Sequence, residues 1–481
     1  MNWFYIAGIL YILIIIVVCL RIIYETRNTN KSLAYLLFTI FIPVGGIVFY
    51  ILFGINYWKI KLYNKKSTED EKILQKLKKE MKVYADETVP PTTMSDDNNK
   101  ELAVMLAKEL RSPLTRKNKV KLFINGEEKF PEVLEALRNA KHHIHIEYYI
   151  YEQDGIGGQI ENILIQKAKE GLQVRFIYDD FGSPNIKKKT EQKMRSAGIE
   201  IHPFNKVLFY LLANRLNYRN HRKIIVIDGQ TAFTGGINVS DKYINNKPGG
   251  LFWRDTHIRI DGPGVFYLQY LFLSDWNFCC GKIVQPEQEH FICADVKSED
   301  TFLQVASSGP DSTQPSVLFS LLQAIYLARK EILITTPYFI PGDSIQEALR
   351  IAALSGLSVK LLVPGICDSK FVNAASKSYY AELLLAGVEI YMYQKGFVHA
   401  KTIVTDSKLS VIGTANMDYR SFELNFEVNV ILYDQTISEK LRTVFFKDLE
   451  DAEKIDPERW CKRPAYKQLP EKLARLFSPV L

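Results

Sequence analysis

Apolar positions from Trp3 to Leu20 run on without a charged residue. A second uncharged run, Leu33 to Trp58, is interrupted mainly by Pro43 and the pair Gly45-Gly46. Each is long enough to cross a hydrocarbon layer of about 30 Å as a helix, and together they predict a membrane hairpin that leaves both chain ends on one side. A cleaved signal peptide is the alternative for the first run, but no basic segment precedes it and no small-residue cleavage site follows. Past Trp58 the pattern changes. Ile73, Leu74, Leu77, Met81 and Tyr84 recur at helical spacing among lysines, which fits a helix lying on an anionic leaflet or a solvated helical stem. Pro90-Pro91 and the polar residues up to Lys100 read as a linker.

From near Asn118 onward the chain repeats itself. "LEALRNAKHHIHIEYYI" (Leu134 to Ile150) matches "LQAIYLARKEILITTPYFI" (Leu322 to Ile340), a helix and then a strand. "AKEGLQVRFIYDDFGS" matches "AALSGLSVKLLVPGICDS", and "GIEIHPFN" from Gly198 matches "GVEIYMYQ" from Gly387. Each half therefore reads β-α-β-α-β. A period this long means two homologous domains rather than a solenoid, with a site on a local two-fold axis receiving the same residues from each half. The expected divisions are a transmembrane hairpin (1–58), a basic stem and linker (59–117), a first domain (118–290) and a second (291–481).

Charge sharpens this division. The net charge is +7, but nine lysines against four acids between Lys59 and Lys82 account for +5, leaving +2 for everything else. That argues against a nucleic-acid face on the folded part and for a basic segment held beside something anionic. Three basic residues (Arg21, Arg27, Lys31) lie between the apolar runs, and the heavier basic flank after Trp58 is expected to face the cytoplasm. The six cysteines form no C-x-x-C pair, which disfavours a zinc ribbon or thioredoxin-type site.

The strongest chemical signal lies inside the repeat. His221, Lys223, Asp228, Gly235 and Asn238 recur as His399, Lys401, Asp406, Gly413 and Asn416, with the same offsets from histidine. A single H-x-K-x4-D is weak; two in matched register are strong. Positions i and i+2 of a strand share a face, so histidine and lysine point together. Two imidazoles and two ammonium groups on one axis suit a two-step substitution at a phosphodiester. Lysines and the Asn238 and Asn416 amides would hold the non-bridging oxygens. One histidine would attack phosphorus, and the other would give and then take a proton. The two must start in opposite protonation states and titrate together. Asp255 in "FWRDTHIRI" and Glu427 in "LNFEVNV" are acids in apolar strands, costly unless paired. They are candidates to fix the histidine tautomers, the alternative being edge-strand carboxylates facing water.

These residues resemble the phospholipase D superfamily, whose signature is the doubled H-x-K-x4-D. "IPVGGIVFYILFG", "SSGPDS", "TPYFIPG" and the closing "EKLARLFSPVL" are similar to one branch, the bacterial cardiolipin synthases. The resemblance implies an α/β fold: two tandem phospholipase D-like domains, each a mixed β-sheet flanked by helices, related by a pseudo-two-fold axis behind the transmembrane hairpin. It implies a metal- and cofactor-independent phosphatidyl transfer between two phosphatidylglycerol molecules, with release of glycerol, at the cell membrane. His221 would be the nucleophile and His399 the general acid and base. Hydrolytic phospholipase D, a nuclease-like phosphodiesterase and a non-catalytic membrane scaffold remain the alternatives. Anionic membrane lipids are the expected partners, and nucleic acid is not one.

The halves differ in places. Gly413-Thr414 stands where the first copy has Gly235-Gly236. Gly198 precedes His221 by 23 residues, whereas Gly387 precedes His399 by 12. The additional residues include the apolar run Val207 to Leu212, a bilayer-dipping segment or a buried lid. His142, His143 and His145 raise a metal site only weakly, for want of further ligands. Glu147 is a lesser candidate to face the site. Leu473, Leu476 and Phe477 would touch either the membrane or the domain.

Overall fold

The computed structural model describes residues 3–26, 29–50, 66, 90, 94, 99–109, 112–205, 218–246, 249–281, 284, 287–291, 300–312 and 314–480. The helix expected around residues 73–84 and the apolar run at 207–212 lie outside them.

Helix α1 (Trp3–Glu25) carries the expected first span; its 23 residues reach roughly 35 Å. The second apolar run departs from expectation. It breaks at Ile42 into α2 (Thr29–Phe41) and α3 (Pro43–Phe49). Pro43 lacks an N–H and opens the new helix at its first turn. The chain then doubles back, so that the Tyr50 hydroxyl donates to Glu25 at 3.0 Å and its ring meets Tyr35 at 5.6 Å. Gly46 permits the turn, because a Cβ there would sit 2.4 Å from Thr39 Cα. Among the described residues only α1 is long and apolar enough to cross a membrane.

The first half contributes β1 (Thr115–Ile124), β2 (His143–Tyr148), β3 (Gln173–Asp179), β4 (Glu200–Phe204), β5 (Ile224–Ile227), β6 (Thr231–Gly235), β7 (Phe252–Arg254) and β8 (Thr256–Asp261). The second contributes β9 (Thr301–Ser308), β10 (Glu331–Thr335), β11 (Phe339–Ile340), β12 (Ser358–Pro364), β13 (Glu389–Tyr393), β14 (Gly396–Val398), β15 (Thr402–Thr405), β16 (Leu409–Gly413), β17 (Met417–Asp418), β18 (Glu427–Tyr433) and β19 (Ala452–Lys454). Fifteen of these form one mixed sheet in the order β19-β13-β12-β10-β15-β16-β18-β9-β1-β8-β6-β5-β2-β3-β4. Read outward from the central antiparallel pair β9–β1, both directions give the same sequence of equivalent strands, with β19 added at one edge. β2-β3-β4 and β10-β12-β13 are the parallel βαβ portions.

Strand alternation sorts the core. Ile224 and Val226 face a shared core that also holds Ile258, Phe272, Val404, Val428 and Leu441 from both halves. Ile225 and Ile227 face a core belonging to the first half, and Ile403 faces its counterpart in the second. Helices Val265–Cys280 and Gln435–Glu450 contribute Phe272 and Leu441 to the shared core. The halves are therefore fused by continuous hydrogen bonding and by apolar packing.

Lys66, from the basic stem, is inserted at this seam. Its ammonium lies 2.7 Å from Ser274 Oγ, 2.7 Å from Asp311 Oδ2 and 3.3 Å from Asp275 Oδ1, and 5.4 Å from the Phe426 ring. The anion beside this lysine is protein carboxylate from both halves rather than lipid.

Candidate active site

Each motif histidine enters its strand tied to the opposite half. The His221 N–H donates to Phe426 O at 3.0 Å, and the His399 N–H donates to Arg254 O at 2.7 Å. β7 and β14 also pair, in parallel, across the halves. The side chains repeat this exchange. His221 Nδ1 lies 3.0 Å from Glu427 Oε2, and His399 Nδ1 lies 2.7 Å from Asp255 Oδ2. The acids proposed from sequence thus meet the histidines, but crosswise: the first histidine takes its carboxylate from the second half, and the reverse. Burial alone would raise both carboxyls. The facing imidazoles, with Lys401 beside Asp255 and Lys223 beside Glu427, outweigh it and hold both acids below their usual range. An ionised carboxylate at Nδ1 accepts a hydrogen bond from the N–H there, which fixes the tautomer and leaves Nε2 with its lone pair.

The lysines close the group. Lys223 Nζ donates to His221 O at 2.7 Å and Lys401 Nζ to His399 O at 2.5 Å. Burial, opposed by the carboxylates, brings Lys223 down to about 7 and Lys401 down to about 8; each is fully enclosed. The imidazoles fall too. Burial takes His221 to about 4 and His399 to about 3, and the lysine of each histidine's own motif and that of the opposite motif both contribute. Each lysine acts on both histidines, so the two motifs share one enclosure. This alters one expectation. Protein groups alone hold both rings neutral at pH 7, because burial and the neighbouring lysines outweigh each carboxylate. Opposite protonation states require an anion among them.

Aromatic rings wall the enclosure. Tyr149 stands edge-on to His221 at 5.0 Å, and Trp253 and Phe397 lie 5.5 and 5.7 Å from His399.

The turn that differs between copies is fitted to the acid it faces. A Cβ on Gly236 would lie 2.0 Å from Asp255 Oδ1, so only glycine leaves room for that carboxylate. In the second copy the Thr414 hydroxyl donates to Glu427 Oε2 at 2.5 Å and accepts from the Val428 N–H at 3.0 Å. The longer acid is held by a hydroxyl; the shorter is held by the Thr256 N–H at 2.7 Å.

Asn238 and Asn416 are buried in the loops that follow β6 and β16. Asn238 accepts from the Ile150 N–H at 3.2 Å and donates to the Tyr243 hydroxyl at 2.9 Å, while Asn416 donates to Asp418 at 3.0 Å. One N–H of each amide is thus engaged in bracing a loop, and a second remains.

Asp228 and Asp406 correct the sequence reading. The four residues of β5 separate Asp228 from Lys223, roughly 16 Å over five steps. Its carboxylate accepts the N–H groups of Lys141, His142 and His143 at 2.9, 2.8 and 3.0 Å. Asp406 does the same for Arg329, Lys330 and Glu331 at 2.7, 2.7 and 2.9 Å. Both sit at positive φ, 55° and 53°, where short polar side chains are tolerated. They fasten a turn to the start of the neighbouring strand and do not join the reacting groups.

Glu147 also lies outside the reacting group. It is fully buried, bonded to Asn220, and burial beside Asp275 pushes its carboxyl well up. Asp179, which the sequence did not single out, holds the approach to His221: it accepts N–H groups from Phe181, Gly182 and Asn220, each at 3.0 Å. The matching stretch of the second half has Pro364 at this place, so duplication gave no signal for it. His143 and His145 point under helix Val265–Cys280 to Gln269, and Arg175 NH1 lies 3.4 Å from His145 Nε2, a cation opposed to any metal. Among the described residues no group of three or more His, Cys, Asp or Glu side chains could hold an ion.

Comparison with known proteins adds an independent finding. Residues 133–248 and 321–449 match the family model described as cardiolipin synthase, PLD-like domain, and residues 9–54 match the phospholipase D-nuclease N-terminal model. The chain is 40% identical to the cardiolipin synthase of Alkalihalophilus pseudofirmus, over 98% of this chain and 93% of that protein. It is 39% identical to the major cardiolipin synthase of Bacillus subtilis, over 98% of each. In fold it is similar to the phosphatidylserine synthase of Haemophilus influenzae, with a TM-score of 0.57 at 13% identity, covering 75% of this chain and 95% of that one.

Proposed function

The chain belongs to the cardiolipin synthase family with phospholipase D-like domains, and from that premise we propose that it transfers a phosphatidyl group from one phosphatidylglycerol to another at the membrane, releasing glycerol. The observation that carries the mechanism is the pair of crosswise histidine–carboxylate dyads enclosing two lysines.

His221, its Nδ1–H hydrogen-bonded to Glu427, attacks phosphorus through Nε2. The bond from phosphorus to the glycerol oxygen breaks, and that oxygen takes a proton from His399. In the return step neutral His399 removes the proton of the acceptor lipid's hydroxyl, the new P–O bond forms and the bond to His221 breaks. Lys223, Lys401 and the remaining N–H groups of Asn238 and Asn416 offset the charge growing on phosphorus. Asp228 and Asp406 act at a distance, by fixing the turns that end the motif strands. The lipid phosphate supplies the negative charge that raises His399 into its acid form.

The repeated strand order supports a pseudo-two-fold relation between domains 118–290 and 291–481. The helix α1, together with the basic flank after Trp58, supports an anchor that places both domains on the cytoplasmic side of the cell membrane. The turn-back of α3 favours one crossing followed by a re-entrant segment over two full crossings.

The test is purified protein with phosphatidylglycerol vesicles, read by mass spectrometry. Cardiolipin and glycerol in equal amounts are expected. Phosphatidic acid alone would mean that water is the acceptor and the chain a hydrolase. His221→Ala is expected to abolish both products, and full turnover by that variant would refute the mechanism.

A further inference from the structure

The C-terminal helix Ala465–Arg475 has one face fastened to the second domain and another left open. Arg463 and Glu471 form a two-point ion pair at 2.8 Å, the Arg475 guanidinium lies 4.3 Å above the Tyr379 ring, and the Tyr379 hydroxyl donates to Ser478 at 2.8 Å. Ala474 is buried. The opposite face presents Tyr466, Leu469 and Leu473, and Leu476 and Phe477 follow at the helix end, each more than half exposed. Their spacing of three and four residues makes one apolar stripe. Phe371, itself exposed, extends it through a ring contact with Phe477 at 5.6 Å. A lone exposed leucine needs no explanation, whereas a contiguous stripe beside a fixed helix does.

Two further observations identify what covers it. Lys467 and Lys472 flank the stripe and are exposed, so the surface is apolar with a cationic border. The stripe also continues toward the membrane-associated helices. The turn Ser478–Val480 packs on helix Tyr419–Glu423, and Glu423 interacts electrostatically with Tyr35 of α2. Helix Lys370–Lys377, which carries Phe371, lies beside Tyr338 and Asp368; the Tyr338 hydroxyl donates to Asp368 at 2.5 Å, and Tyr338 lies 6.2 Å from Phe397, a wall of the His399 enclosure.

We propose that the C-terminal stripe is a second membrane-contact surface, lying among the headgroups of an anionic leaflet and holding the enclosure's mouth against the lipid from which substrate comes. The N-terminal helices tether the chain at one point; the stripe fixes the tilt of the domains at another. This rests on the membrane-synthase reading for its purpose, but its physical test does not require turnover.

Full-length protein is reconstituted in vesicles of phosphatidylcholine and phosphatidylglycerol containing a trace lipid with a diazirine near the top of its acyl chain. After irradiation, labelled peptides are identified by mass spectrometry. Label on residues 466–477 as well as on α1 is expected; label on α1 without label on 466–477 overturns the proposal, whatever the protein's activity. In Leu469→Ser/Leu473→Ser/Leu476→Ser the C-terminal label is expected to vanish. The phosphatidylglycerol surface fraction at half-maximal turnover is expected to rise about fivefold or more, with maximal turnover kept within about twofold. An unchanged half-saturation overturns the proposal. So does a triple substitution that dissociates a dimer in native mass spectrometry, which would assign the stripe to a second copy. Should the variant unfold, the labelling of the unaltered chain still decides.

Discussion

Glu427 and Asp255 each accept a hydrogen bond from the histidine of the opposite half, so a change in either acid strikes a ring encoded far away in the chain. Glu427→Gln and Asp255→Asn keep the side-chain volume but let the imidazole take the wrong tautomer. Turnover of phosphatidylglycerol is expected to fall roughly 10²–10⁴-fold in each, with the circular dichroism spectrum unchanged. A loss confined to one variant contradicts a shared site. The low proton affinity of both rings, about 4 for His221 and about 3 for His399, has its own consequence. A phosphate-like anion between the lysines should draw in a proton as it binds. Titration calorimetry with inorganic phosphate at pH 7, in buffers of different ionisation heat, is expected to show net proton uptake by an imidazole and by Lys223, which at about 7 is only partly charged there. Zero uptake would mean that a ring is already charged at rest.

At the scale of elements, the aspartate that ends each motif is a fastener. Asp228→Ala and Asp406→Ala each strip three backbone N–H groups of their acceptor. A loss of about 2–3 kcal/mol per site in unfolding free energy is expected, with the substrate concentration at half-maximal turnover nearly unchanged. Failure of turnover without loss of stability would return these residues to the reaction. The distinction was not legible in sequence, where His221, Lys223 and Asp228 share one spacing rule; only the length of the strand between them separates their roles. The repeat, the strand–helix order and the two acids were legible, because duplication preserves register and an acid in an apolar strand must find a partner. Which partner was not, since spacing along a chain says nothing about which side of a seam a side chain reaches. Pro43 was visible as an interruption, but the return of Tyr50 to Glu25 depends on Gly46 touching Thr39. Lys66 read as one lysine among nine, and its buried carboxylates come from residues more than 200 positions away.

For the molecule as a whole, buried neutral histidines set the response to acid. His143, His221 and His399 stand at about 4, 4 and 3, and His145 and His257 well below their ordinary value, against about 6.5 in an unfolded chain. Below that value the unfolded state takes up protons that the folded state refuses. Their stabilising contribution is therefore complete above about 6.5 and is lost as pH falls toward the folded values. Asp179, raised by burial to about 6, Glu147, raised well above its ordinary value, and Asp418 and Asp448, also raised by burial, pull the other way but are fewer. Lys223 and Lys401, lowered to about 7 and about 8, add stability as pH climbs from there toward their unfolded value. The melting temperature in detergent is expected to be lower at pH 5 than at pH 7.5. A flat or inverted profile would mean that the histidines carry charge in the folded protein.

The crossed wiring also governs when the chain becomes dangerous to its own surroundings. A ribosome that has finished only the first half has made His221 but not the strands that complete its sheet and the shared core. That imidazole's carboxylate, Glu427, is not yet made. Until the final strands arrive, the nascent polypeptide rests harmlessly among the molecules it will later cut and join.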